Sequence, residues 1–376
     1  ASPNFNFGFT ITDLYRRDGL VRLDQIFVDF LRTGDETLYK RLEHARAHPD
    51  ELPPKDDSAL LIEIAPWVED FIARLFNIEN EVQQLAAKHH ELAPLYFCKR
   101  QFVQRKAKGK VSDTELMGID GLALEKELAA EFGGAFSELV FATKVTQWME
   151  SEAENETRLN KALHYAAWTL RTPAGQRHTQ QGILFKSPAK LDFQHLLSLN
   201  TDDSAGYPVH RLDHLRERNG FALTDGGTDL MGALDEANYC IWCHEQGKDS
   251  CSKGMIQKPK APDEVPTFKK SELGALLAGC PLEERISEYH KLKTQGVAVG
   301  SLAMIALDNP MCAGTGHRIC NDCMKSCIYQ KQEPVDIPQA ETRTLKDVLA
   351  LPWGFEIYSL LTRWNPLNLR RPVPKP

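Results

Sequence analysis

Eight of the nine cysteines in this 376-residue chain crowd between Cys240 and Cys327, and only Cys98 stands apart. Their spacing is Cys240-x2-Cys243-x7-Cys251, then Cys280-Pro281, Cys312, and Cys320-x2-Cys323-x3-Cys327. In an oxidising compartment such density reads as disulfides. The opening residues ASPNFNFGFT lack the basic and apolar regions of a secretory signal. The expectation is therefore a cytoplasmic chain, in which clustered cysteines point to metal. Two C-x2-C pairs and a Cys-Pro step are the vocabulary of cubane iron–sulfur sites. A C-x2-C turn aims two thiolates at one centre, a third lies nearby, and the fourth ligand comes from far along the chain. One structural zinc takes four ligands, too few for this set. Two zinc sites in a non-redox scaffold remain the alternative. Cys98 and Cys312 read as small core residues. His244 and His317 read as hydrogen-bonding neighbours of the sites rather than ligands.

The rest of the chain points to a helical protein. Residues 1 to about 220 carry helical periodicity. Leu60, Leu61, Ile64, Trp67, Val68, Phe71, Ile72 and Leu75 predict a helix within Ala59–Leu85, with Pro66 kinking or dividing it. A second helical stretch spans Ala135 to Leu170. Pro49–Asp57 reads as a linker. Asn219-Gly220 and Gly226-Gly227 mark a boundary near 203–228, and Gly254–Lys270 reads as an exposed loop. Thr228 is the expected cap of a helix delivering Cys240, and Pro281 the expected start of a helix Leu282–Lys293. The basic segment Cys98–Lys110 reads as a solvated face. With a net charge of −7, nucleic acid is not an expected partner. The longest nearly apolar run, Gly296–Leu307, is far shorter than the ~20 residues of a membrane helix. No G-x-G-x-x-G occurs, so no flavin or nucleotide site and no catalytic residue is expected on this chain. The end, NPLNLRRPVPKP, reads as an extended tether.

Three segments carry a resemblance. GCPLEERISEYHKLKTQG (279–296), TGHRICNDCMKSCIY (315–329) and PVDIPQAE (334–341) resemble, in order, the N-terminal iron–sulfur domain of the glutamate synthase small subunit. The same domain occurs in dihydropyrimidine dehydrogenase. The resemblance implies a mainly α fold: a helical domain over 1–224, then an α-helical ferredoxin-like two-cluster domain over 225–376 with a C-terminal linker. It implies one [4Fe–4S] cluster on Cys240, Cys243, Cys251 and Cys327, and a second on Cys280, Cys320, Cys323 and Glu341. It implies electron transfer within a NAD(P)H-dependent oxidoreductase, with FAD and NAD(P)H on a following domain or a flavoprotein partner subunit, in an oligomer. The chain departs from the pattern in having seven residues rather than four between Cys243 and Cys251, and 28 between Cys251 and Cys280.

Overall fold

The computed structural model describes residues 5–212, 217–223, 225–259 and 265–373. The protein is mainly helical. Among the described residues its strands are two short antiparallel pairs, Leu199–Asp202 with Val209–Leu212 and Ile256–Gln257 with Thr267–Phe268. Parts of the expected boundary and loop, including Thr224 and residues 260–264, lie outside the described residues, as do the last three residues of the tail.

Pro54 opens the helix Pro54–Phe76, the position where a missing N–H costs least. The supposed linker therefore ends at Pro53. Pro66 sits within this helix without dividing it. It withholds one ladder hydrogen bond, and burial of Leu60, Leu61, Ile64, Val68, Phe71, Ile72 and Leu75 holds the helix together across that gap. The break comes later, at Asn77, in the left-handed conformation (φ 56°), before helix Glu79–Glu91. The stretch from 135 to 170 is likewise two helices, Glu138–Glu150 and Glu156–Arg171.

The cores do not follow chain order. The first combines residues 5–82 with residues 240–369. The buried Trp364 ring packs on Phe27 and Phe71, with centroids 5.9 and 5.8 Å away, and its Nε1 donates to Asp24 at 3.0 Å. Helix Ala298–Asp308 lies on Pro54–Phe76 so closely that a Cβ on Gly300 would stand 2.7 Å from the Ala65 carbonyl oxygen. The second core gathers Tyr96, Phe102, Phe141, Tyr165 and Phe185 from the middle of the chain. Helix Leu230–Tyr239 spans the junction. Its Leu234 enters the second core, while its Cys240 end belongs to the first. The packing thus crosses residue 224 in both directions. The C-terminal segment is not a free tether either. Leu367 and Leu369 are buried, and Asn365 donates to the Ala303 carbonyl at 2.8 Å.

Glu69 joins the two parts of the first core. Its Oε2 accepts from the amides of Val299 (2.6 Å) and Gly300 (3.3 Å) at the start of helix Ala298–Asp308. Burial pushes its carboxyl up to about 7, although those two amides pull it down. The folded chain therefore holds this proton more tightly than the unfolded chain. Its stabilising contribution is full below the ordinary carboxyl value and is lost as pH rises through about 7. Glu69→Gln, always neutral, is expected to match wild type near pH 4.5. By pH 8 it should gain on wild type by roughly 3 kcal/mol, at about 1.4 kcal/mol per pKa unit. Urea melts across that range measure it, and a constant difference would reject the buried proton.

Candidate metal centre

Cys240 ends helix Leu230–Tyr239, which Asp229 caps by accepting from Gly232 N–H; the expected cap, Thr228, is one residue off. Trp242, at φ 51°, turns the chain so that Cys243 begins the single turn Cys243–Gln246. Cys251 lies in the short helix Ser250–Lys253, where its thiol donates to the capping Asp249 at 3.1 Å. Cys327 follows helix Asp322–Lys325. These four sulfurs form one neighbourhood. Charge on Cys243 and Cys327 raises the pKa of Cys240, and charge on Cys240 and Cys327 raises that of Cys251. Burial is the larger cause in each case, and it pushes the half-buried Cys243 up to about 11. Backbone amides oppose it. Trp242 N–H points at the Cys240 sulfur, and the N–H groups of Tyr329, Val335 and Ile328 point at that of Cys327.

The second neighbourhood holds Cys280, Cys320 and Cys323. Cys280 and Cys320 both raise the pKa of Cys323, and Cys320 that of Cys280. Cys320 is exposed and Cys323 buried. The helix expected at Leu282 begins only at Ile286. Instead, a turn over Pro281–Arg285 directs the N–H groups of Leu282 and Glu284 at the Cys280 sulfur. The two neighbourhoods touch through backbone. Cys280 N–H donates to the Cys251 carbonyl at 2.8 Å. Gly279, at φ 80°, lies so near Gly254 that a Cβ would meet its nitrogen at 2.4 Å, so glycine is required by both conformation and space.

Glu341 lies on helix Ile337–Leu349, buried, with Oε1 accepting from Asn309 Nδ2 at 3.1 Å. A second buried carboxylate, Glu284, lies close enough for its charge to act on Glu341. Burial first, and then the charge of Glu284, push Glu341 up to about 9; Glu284 rises to about 7. Sequence reasoning missed Glu284, whose place four residues after Cys280 was the available signal. Cys312 is buried near Tyr358, whose hydroxyl donates to the Pro310 carbonyl at 2.7 Å, and Cys98 is buried in the second core. His244 Nδ1 lies 2.6 Å from Ser287 Oγ, and His317 Nδ1 lies 3.2 Å from Thr342 Oγ1. All nine cysteines are free thiols. Among the described residues, no three His, Cys, Asp or Glu side chains converge tightly enough for a single metal ion. An iron–sulfur core stands between its ligands and holds them farther apart than one ion does.

A family model described as the RP005 N-terminal alpha-helical domain matches residues 5–77. The uncharacterized protein RP005 of Rickettsia prowazekii (strain Madrid E) is 34% identical over 299 residues, covering 77% of this chain and 98% of that protein. The uncharacterized protein RP006 of the same organism is 66% identical over 65 residues, which are 17% of this chain and 9% of that protein. No solved structure matches. These relationships overturn the resemblance to the glutamate synthase small subunit, since no iron–sulfur or oxidoreductase family is among the matches. Short cysteine motifs mislead about ancestry because their spacing is set by how far a turn can reach, which is common to unrelated sites. The length of the match, nearly the whole of RP005, shows instead that the chain belongs to the RP005 family.

Proposed function

We propose that this chain is an electron-transfer protein carrying two [4Fe–4S] clusters in an α-helical, ferredoxin-like arrangement. Cys240, Cys243, Cys251 and Cys327 hold one. Cys280, Cys320, Cys323 and a buried carboxylate hold the other. The carrying observation is that seven free cysteines form two neighbourhoods that interleave along the chain, with Cys327 leaving its sequence neighbours Cys320 and Cys323 to join Cys240. The residues suit the group. Most of these thiols are buried, where an uncompensated thiolate is costly and cluster iron offsets its charge. Backbone N–H groups already point at the sulfurs of Cys240, Cys280 and Cys327, the kind of donor that tunes a cluster's potential.

A bound cluster supplies one-electron redox chemistry. The chain's own part is to exclude water, hold the sulfurs and bring the two sites together through the Cys280–Cys251 backbone bond. Two-electron chemistry belongs elsewhere, since no dinucleotide fingerprint occurs in this sequence. The electron partner we propose is a flavoprotein holding FAD and NAD(P)H, as a further domain or a separate subunit. No helix among the described residues is long and apolar enough to cross a membrane.

Anaerobic iron and sulfide analysis is expected to give about eight of each per chain, the content of two four-iron clusters. Zinc without sulfide would establish the scaffold reading instead. The interleaving makes a sharper prediction. Cys327→Ala and Cys320→Ala, seven residues apart, should abolish different EPR signals of the reduced protein. Loss of the same signal in both would contradict the pairing.

A further inference from the structure

Where the two cores meet, the chain leaves a cleft of about 580 Å³. Its walls come from residues within 96–104 and 186–188, and from residues within 235–242 and 329–334. Pockets for small ligands favour such junctions and span roughly 300–1,000 Å³. We propose that this cleft binds a nucleotide, with the base stacked on the Tyr239–Tyr329 pair and the phosphate held by Arg100 and Lys186. The proposal stands apart from the cluster reading. It does not need the absent G-x-G-x-x-G either, which seats the pyrophosphate of a dinucleotide on a helix start, whereas Arg and Lys side chains hold a single phosphate directly.

Tyr239 and Tyr329 both line the cleft, with ring centroids 4.5 Å apart and planes 6° from parallel. Tyr239 is fixed in place. Its hydroxyl donates to the Glu333 carbonyl at 3.1 Å and accepts from Gln332 Nε2 at 2.5 Å. A preorganised aromatic surface stacks a base without being ordered first. Another part of the wall has a rare backbone. Lys99–Ala107 is a π-helix, whose i→i+5 hydrogen bonds put residues five apart on one face. Lys99 and Gln104 therefore both reach the cleft, an arrangement an α-helix does not give. The basic segment Cys98–Lys110, expected as a solvated face, is in part a cavity wall. Trp242 lines the cleft as well. It is left-handed at φ 51°, and its buried indole N–H meets no acceptor among the described residues. Backbone strain and orphaned donors concentrate where function needs them.

Three carboxylates also line the cleft, and each is already engaged. Asp235 accepts from Lys99 Nζ at 2.6 and 2.7 Å, Glu236 from Asp336 N–H at 2.7 Å, and Glu333 from Ala189 N–H at 3.3 Å. That leaves Arg100 and Lys186, both exposed, to meet an incoming anion. Arg100 also donates to the Asn238 carbonyl, which anchors its guanidinium beside Tyr239.

The test titrates the full chain, purified anaerobically, with AMP, GMP and UMP by calorimetry, and with adenosine and inorganic phosphate as separate arms. At least one nucleotide should bind about tenfold or more tighter than either arm, the usual worth of a stacked base or a charge-assisted hydrogen bond. Tyr329→Leu should weaken that nucleotide about tenfold, and Tyr329→Phe, which keeps the ring, should not. Arg100→Gln and Lys186→Gln should each weaken the nucleotide about tenfold and leave adenosine unaffected. Lys110→Gln, in the same basic segment but outside the cleft, should change nothing. Circular dichroism and melting of each variant certify the fold. If none of the three nucleotides binds wild type saturably, the proposal is overturned. Binding that survives both Tyr329→Leu and the double variant Arg100→Gln, Lys186→Gln overturns it too, as does inorganic phosphate binding as tightly as the nucleotide.

Discussion

A fragment beginning at Asp225 is expected not to fold, although it contains every proposed cluster ligand. Helices Ile286–Thr294, Ala298–Asp308 and Ile337–Leu349 bury their apolar faces in the first core, and residues 5–82 supply much of that core. Without them, the surfaces of Val299, Leu302, Ala303, Trp364 and Leu367 meet water. Phe27, Phe71, Leu61 and Ile64 alone remove roughly 1.5–3 kcal/mol each of burial from the whole. Few domains hold a reserve that large, since total stability is commonly 5–15 kcal/mol. The polar links fail with the apolar ones. Ser58 Oγ no longer donates to the buried Glu288 (2.6 Å), and the amides of Val299 and Gly300 lose Glu69. Circular dichroism of the 225–376 fragment should show little cooperative melting, and co-expression with residues 1–91 should restore it. A fragment that melts cooperatively by itself would show that the shared core is dispensable.

That core explains what was legible in the sequence and what was not. The helix Pro54–Phe76 could be read because its buried positions repeat locally, from Leu60 to Leu75. Its end at Asn77 and the turn at Ser151–Asn155 carry neither Gly nor Pro, the strongest local stop signals. The partnership of Phe71 with Trp364 joins residues almost 300 apart, and no window of sequence contains it. For the same reason the tail read as a tether. Its prolines are visible one by one, whereas the burial of Leu367 and Leu369 depends on residues far along the chain. The cysteine groups sit between these cases. C-x2-C spacing is local geometry and was visible in the sequence. The burial of a carboxylate was not. Glu284 resembles any glutamate ahead of a helix until the strained turn at Glu283 buries it. The ancestry drawn from the motifs failed outright, because it weighed three short segments against a relationship that runs through most of the chain.

Asp347→Ala is expected to lose about 3–5 kcal/mol, the usual result of stranding one member of a buried ion pair. Lys293 and Asp347 are each 1% exposed at the side chain, with Nζ 3.1 Å from Oδ2. Arg343, one helical turn before Asp347, donates to Oδ1 at 2.7 Å. The pair ties helix Ile286–Thr294 to Ile337–Leu349, and the charges of both residues are felt by buried His89 on Glu79–Glu91, so three helices meet there. Burial already holds the Lys293 ammonium below its ordinary pKa, and the charge of Asp347 is what opposes that shift. With Asp347 gone, the ammonium must lose its proton or stay buried without an anion. The sign follows from this. A lysine whose folded pKa is depressed binds its proton more weakly when folded, so stability rises with pH up to the unfolded value near 10.4. The variant should therefore recover part of its loss between pH 7 and pH 10, and recover it faster than wild type. The double variant Lys293→Met, Asp347→Leu buries no charge and should return to within a few kcal/mol of wild type or exceed it. Chemical denaturation of the three proteins at pH 7 and pH 9.5 separates the causes. If Asp347→Ala costs less than 1 kcal/mol at pH 7, solvent reaches the Lys293 ammonium and the site is not dry. If the loss is large but independent of pH, the missing side chain matters for its volume, and the charge of Lys293 is not what makes this junction fragile.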